Sequence, residues 1–416
     1  RRYLEYKGFE VNQVVNITDM GEKALLDPSR TDSDLDDNAK RYMEICRRDL
    51  SVLGVQPATY YPRTSEHVDD ILDISKGLIE KGFAYEKLRS IYFDISKYSD
   101  YGRLSRVDLQ KIRLGKTVDL EAYEKLNPRD FTLLRRATLA ELKRGIYLKT
   151  SWGNVLPSLH LETVAVALKQ LGETIDIHIS SLDFLFPHNE NEIAIAQAAT
   201  GKQLANYYIH CERVLMDGKK ISREGEGRVT VQQLLDGGYS GRQIRYWLLA
   251  THYRKPLHFD EGRLREAARG LERLDEFSQR LQHVVTGVAA DEVDQFVYEV
   301  EQNFDQAMGD DLNVSSALAA VFGFIRKLNP YLSDGRISEK QKKTALAAME
   351  RLDSVLNVLQ CLEPELDEDT CRLLETRAEA RRKKSWDEAD RLRQELLERG
   401  IKVIDTPEGT RWKRIE

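Results

Sequence analysis

Two short stretches of this chain hold the side chains best suited to chemistry. In Asp176-Ile-His-Ile-Ser-Ser-Leu-Asp-Phe-Leu-Phe-Pro-His-Asn-Glu-Asn-Glu192, His188 and Glu192 stand four residues apart and His178 lies upstream. An imidazole and a carboxylate at helical spacing share a face, and suit either a metal or a surface hydrogen-bonded pair. In Asp217-Gly-Lys-Lys-Ile-Ser-Arg-Glu-Gly-Glu-Gly227, the cations Lys220 and Arg223 flank Ser222 among glycines. Cations stabilise phosphate charge in a transition state and glycine lets the backbone approach closely, so this loop is expected to fold over a polyphosphate. A solvated charged turn is the plainer reading of the same residues.

These residues need elements to position them. Thr174 to Ile179 alternates in the manner of a strand, which puts His178 at its carboxyl end, where open parallel sheets collect ligands. Pro187 suits a helix entry, and a helix through Ile193-Ala-Ile-Ala-Gln-Ala-Ala is closed by Gly201. Tyr207 to Met216 reads as a strand leading to the cationic loop. Upstream, an amphipathic helix leads to a strand over Val11 to Val15. A charged helix follows from Ser33 to Leu53, then Pro57 and Pro62, then a helix from His67 to Lys81 ended by Gly82. Residues 83–152 hold short strands such as Ile91 to Asp94 among polar turns. From Glu261 to about Leu362 the period becomes helical, with Leu264, Ala267, Ala268, Leu271 and Leu274 on one stripe. Pro364 and the acidic run Glu363 to Asp369 mark a linker.

Composition narrows the classes. The 416 residues suffice for several domains. With 63 basic and 69 acidic side chains the net charge is −6, so a nucleic-acid partner would have to be met by local basic patches. Cys46, Cys211, Cys361 and Cys371 are widely spaced without a Cys-x-x-Cys pair, which argues against a disulfide framework and fits a reducing cytoplasm. No apolar run reaches the roughly 18 residues of a membrane span.

Together the two stretches resemble the cysteinyl-tRNA synthetase family of class I, which carries Phe-Pro-His-His-Glu-Asn-Glu and a later Lys-Met-Ser-Lys-Ser loop. Here these stand as Phe186-Pro-His-Asn-Glu-Asn-Glu192 and Lys220-Ile-Ser-Arg-Glu224. Asn16-Ile-Thr-Asp19, Tyr101-Gly-Arg-Leu-Ser105 and His252-Tyr-Arg254 are similar to further family motifs in the same order. Ala389-Asp-Arg-Leu-Arg393 and Asp405-Thr-Pro-Glu-Gly-Thr-Arg-Trp412 resemble the family's terminal tRNA-binding module. The chain starts at Arg1 without an initiator methionine and reads as a fragment; the family's first strand, a zinc-binding cysteine and a His-Ile-Gly-His loop would precede it.

The resemblance implies an α/β fold: an interrupted Rossmann-type parallel-sheet catalytic domain over 1–260, with an insertion at about 83–152 and the signature loop at 217–227. An α-helical bundle over 261–365 and a small mixed anticodon-binding-like domain over 366–416 follow. It implies ATP with Mg2+, an amino-acid substrate, a tRNA partner, no membrane and a monomer. Lys220, Ser222 and Arg223 take the catalytic loop positions, with Lys220, Arg223, His178 and Asp176 toward the nucleotide, and Thr18, Leu159 and His178 toward the amino acid. Arg393, Arg411 and Trp412 fall to tRNA, the tryptophan stacking on a base while arginines meet phosphate.

Departures from the family fall on the amino-acid pocket. Relatives select cysteine through zinc held by two cysteines, the His of Phe-Pro-His and the last Glu of that motif. His188 and Glu192 match the last two, but Thr163 in Leu159-His-Leu-Glu-Thr163 stands at a cysteine position, and threonine is a poor zinc ligand. Leu159 replaces a tryptophan, and Ile179-Ser-Ser181 replaces three glycines of Asp-Ile-His-Gly-Gly-Gly. Three readings follow: a cysteine–tRNA ligase with weakened zinc use, a paralogue that activates another amino acid or loads another acceptor, and a catalytically silent tRNA-binding protein.

Overall fold

The strand expected around His178 spans Ile175–Ser181 and runs parallel to Ala205–Cys211, with His178 opposite Tyr208 and Ser181 opposite Cys211. Parallel strands need a crossover, supplied here by the helix Glu190–Thr200, which ends where Gly201 turns left-handed at φ +79°. The computed structural model describes residues 1–20, 32–108, 125–127, 129–221, 229–359, 368–383, 385–406 and 409–414. By contacts the chain divides into Arg1–Leu359 and Gln360–Glu416.

In the first unit, the strand expected over Val11 to Val15 is reduced to two isolated parallel bridges, Val14 with Tyr60 and Ile17 with Arg63. The reason lies in the facing segment. Pro62 has no N–H to donate, so the ladder is interrupted there, with Tyr60 N–H to the Gln13 carbonyl and Val15 N–H to the Tyr60 carbonyl before it, and Ile17 N–H to the Pro62 carbonyl and Thr64 N–H to the Ile17 carbonyl after it. The helix Leu159–Leu171 starts at Ser158, whose hydroxyl accepts from the Leu161 N–H. Its Leu161, Val164 and Ala165 join Ala194 and Ile195 of the crossover helix and Ile71 and Leu78 of Val68–Glu80 in one buried cluster.

Next comes an antiparallel sheet of five strands in spatial order Ala84–Lys87, Ser90–Phe93, Phe131–Arg136, Gly153–Pro157, Leu148–Thr150. Phe93 stacks on Phe131 of the neighbouring strand with centroids 4.8 Å apart, and both rings lie in the same buried cluster. Downstream, the helices Glu261–His283, Asp291–Gly309, Val314–Ser333 and Glu339–Leu356 bury Leu264, Leu274, Phe277, Phe304, Leu328 and Leu352 together. The helical period read from Glu261 onward is therefore the bundle core.

The second unit pairs the helices Glu368–Arg382 and Trp386–Glu398 with an antiparallel hairpin, Ile401–Thr406 and Gly409–Arg414. Leu396, Ile401 and Val403 form its core. The chain thus has the α/β-then-helical fold expected of it. No helix among the described residues is long and apolar enough to cross a membrane.

Candidate active site

The carboxyl end of Ile175–Ser181 is where the predicted residues meet. After Ser181 the chain makes one short turn over Leu182–Phe184 and a π-type turn over Leu185–Asn189, interrupted by extended Phe186 and a cis Phe186–Pro187 bond. Beyond extended Phe186 the backbone is helical and runs on into Glu190–Thr200, so His188 stands about one turn before Glu192. The two side chains take different partners. His188 Nδ1 lies 3.2 Å from His160 Nδ1, one ring nitrogen donating and the other accepting. Burial, with His188 beside it, pushes the His160 imidazole down to about 3, so His160 is neutral.

Glu192 is buried among partners of its own. Its Oε2 accepts from Asn189 Nδ2 at 2.9 Å and lies 3.2 Å from His178 Nε2. Asn189 Oδ1 in turn accepts from Ser180 Oγ at 2.9 Å and contacts His210 Nε2 at 3.0 Å. His178 Nδ1 is buried without a partner. The Thr163 hydroxyl donates to the Leu159 carbonyl at 2.9 Å, a bond within its own helix. Among the described residues, no three His, Cys, Asp or Glu side chains converge as a metal cage.

A second polar group steadies the Asn16–Asp19 segment. Asp19 accepts from Arg63 Nε at 2.8 Å and from the Ser65 N–H and hydroxyl, while Thr18 itself is exposed. Beneath it Thr64 Oγ1 is 3.2 Å from both the Ile17 carbonyl and Glu162 Oε2. Glu162 is fully buried, and its Oε1 has no partner. Desolvation pushes its carboxyl up to about 8, the Asp19 charge adding to the shift and the Thr64 bond opposing it.

The cationic segment begins as a tight hairpin rather than a loop. Val214–Met216 pairs antiparallel with Lys219–Lys220, and the two residues between, Asp217 and Gly218, both have positive φ, the turn whose twist suits a two-residue hairpin. Val214–Met216 also pairs in parallel with Leu257–Phe259, just after His252-Tyr-Arg254. Lys220 Nζ ion-pairs with Asp183, which also accepts from Arg213 Nε at 2.7 Å. Lys220 and Arg213 hold the Asp183 carboxyl below its usual range. This lysine therefore lies over the carboxyl end of the strand that carries His178. Ser222 and Arg223 lie outside the described residues.

Other expected positions are more dispersed. Asp176 is exposed on the same strand, and Leu159 opens the helix that carries His160 and Glu162. Arg393 is exposed on Trp386–Glu398, and Arg411 and Trp412 pair through their backbones with Ile404 and Val403. Asp183, His210 and Glu162 are given no role by the sequence reading, and Ser180 enters it only as the replacement of a glycine. Only Asp183 carried a signal, as the one carboxylate between the strand end and Phe186.

Comparison with known proteins accounts for this arrangement. Residues 1–269 match the family described as tRNA synthetases class I (C) catalytic domain, 303–363 a DALR domain, and 363–412 the cysteinyl-tRNA ligase anticodon binding domain. The chain is 37% identical over 422 residues to the cysteine–tRNA ligase of Carboxydothermus hydrogenoformans, covering all of this chain and 90% of that one. It is 36% identical to that of Protochlamydia amoebophila, covering 87% of that protein. In fold it is similar to Mycobacterium tuberculosis methionyl-tRNA synthetase bound by methionyl-adenylate, with a TM-score of 0.63 at 15% identity, over 90% of this chain and 88% of that one. Similarity that runs the length of the chain and takes in catalytic and anticodon-binding regions alike means that this chain belongs to the cysteinyl-tRNA synthetase family.

Proposed function

We propose that the chain is a cysteine–tRNA ligase: it activates cysteine with ATP and transfers it to tRNA. The observation that carries this reading is the ion pair of Lys220 with Asp183, which holds a cationic hairpin over the strand end bearing His178. The similarity to cysteine–tRNA ligases along the whole chain supports the same conclusion. In the first step an oxygen of the cysteine carboxylate attacks the α-phosphorus, the bond to the bridging oxygen breaks, and pyrophosphate leaves. In the second, a terminal ribose hydroxyl of tRNA attacks the carbonyl carbon and AMP leaves. No protein nucleophile is needed, so the chain contributes alignment and charge stabilisation.

Lys220 exchanges Asp183 for the β- and γ-phosphates as negative charge develops there, with Ser222 and Arg223 completing the loop. Mg2+ bound to the substrate ATP would neutralise part of the triphosphate charge. Thr18, Leu159 and His178 face the amino acid, Asp176 the nucleotide, and Arg393, Arg411 and Trp412 the anticodon. The working divisions are 1–260, 261–365 and 366–416, in a monomeric cytoplasmic protein. Lys220→Ala in the full natural chain should slow ATP–pyrophosphate exchange by about 10²- to 10³-fold, as expected for loss of one transition-state charge contact. Unchanged exchange would refute the assignment.

A further inference from the structure

The residues at the family's zinc positions do not fit that ion. Zinc sites of this type need thiolate, imidazole and carboxylate donors converging on one point. Thr163 offers a neutral hydroxyl already engaged by the Leu159 carbonyl. His188 is turned to His160, and Glu192 to Asn189 and His178. We propose that this chain selects its amino acid without metal, through the buried pair of Glu192 and His178, whose free Nδ1 accepts a hydrogen bond from a side-chain thiol or hydroxyl of the substrate. This deepens the ligase reading and rests on it.

Two replacements that looked unrelated in the sequence support the proposal, because they meet in space. Ser180 stands where relatives have glycine and Asn189 where they have histidine, and Ser180 Oγ donates to Asn189 Oδ1 at 2.9 Å. An amide presents an acceptor and a donor on one planar group. Asn189 uses the first toward Ser180 and His210 and the second toward Glu192. One side chain thus turns the carboxylate toward His178 and braces it there. A carboxylate 3.2 Å from Nε2 favours the proton on that nitrogen, which leaves Nδ1 a bare acceptor.

That acceptor is unpartnered on a side chain nine-tenths buried. Leaving a buried acceptor unmade costs about 1–3 kcal/mol, so a donor on the ligand is the natural complement. Discrimination then changes in kind. Zinc–thiolate bonding separates cysteine from serine by ligand chemistry, whereas a hydrogen-bonding pocket meets two donors of nearly the same size. The cysteine-over-serine ratio should therefore fall to about 10²-fold or less.

The test uses the full natural chain, expressed with zinc and dialysed. Elemental analysis should find well under 0.1 equivalent of zinc per chain, and about one retained equivalent would overturn the proposal. Titration calorimetry with cysteine and with serine, with and without a zinc-selective chelator, should give affinities that the chelator leaves unchanged. A loss of cysteine affinity beyond tenfold on chelation, or a cysteine preference above about 10⁴, would also overturn it. Asn189→Leu, checked for fold by circular dichroism, should weaken cysteine binding at least tenfold, and unchanged binding counts against the bracing role. Metal content needs no turnover. Pyrophosphate exchange absent with every amino acid would therefore sink the ligase reading, while exchange that stops on chelation would sink only the metal-free pocket.

Discussion

Replacing Glu162 by glutamine tests whether the Asn16–Asp19 segment rests on a neutral acid. The Thr64 hydroxyl has one proton and two acceptors at 3.2 Å, the Ile17 carbonyl and Glu162 Oε2. Both contacts are satisfied if Glu162 is protonated and donates to Thr64, which donates onward to Ile17. The carboxyl is pushed from its usual value of 4.5 to about 8, chiefly by burial. Between those values the folded chain holds a proton that the unfolded chain has released, so this group's contribution to stability is full below pH 4.5 and is lost as pH rises through about 8. At about 1.4 kcal/mol per pH unit, raising pH from 6 to 8 costs about 2–3 kcal/mol through this group. Glutamine donates to Thr64 at every pH. Glu162→Gln should therefore be within about 1 kcal/mol of the unaltered protein near pH 6 and more stable above pH 8. Urea midpoints measured across that range would show the crossing, and a difference independent of pH would refute the neutral-acid argument.

Two further substitutions probe how the site is held. Asp183→Asn frees Lys220 from a half-exposed ion pair worth about 0.2–1 kcal/mol, so the KM for ATP should fall by about 1.4- to 5-fold, and less at high salt. A raised KM would mean that Asp183 serves the nucleotide directly. At Gly241, which opens the helix Gly241–Leu249, an added Cβ would come within 2.0 Å of the Val52 carbonyl oxygen, at the end of the helix Asp32–Val52. Gly241→Ala should lower stability by about 1–3 kcal/mol, read from thermal unfolding, with exchange kinetics at low temperature largely retained.

Much of the architecture was legible because it depends on short-range order. The helix around Ile193 closed at Gly201, and the strand at His178 needed only alternation and a following turn. The β-favouring valines of Val11 to Val15 suggest a full strand, but they say nothing of a partner that contains Pro62. The glycines of the cationic stretch suggest a loop throughout, although Asp217-Gly218 is a hairpin signal in its own right.

The candidate site divides along the same line. Residue types and their order were enough to establish the family, the place of the cationic hairpin after its strand, and the loss of a thiolate at Thr163, because each is a property of neighbours along the chain. Only the tertiary structure decided that Ser180, Asn189 and His210 share one amide, that His188 turns from Glu192 to His160, and that Lys220 rests on Asp183. Side-chain direction depends on turns such as the π segment at Leu185–Asn189 and on partners tens of residues away, and spacing in a sequence carries no record of either.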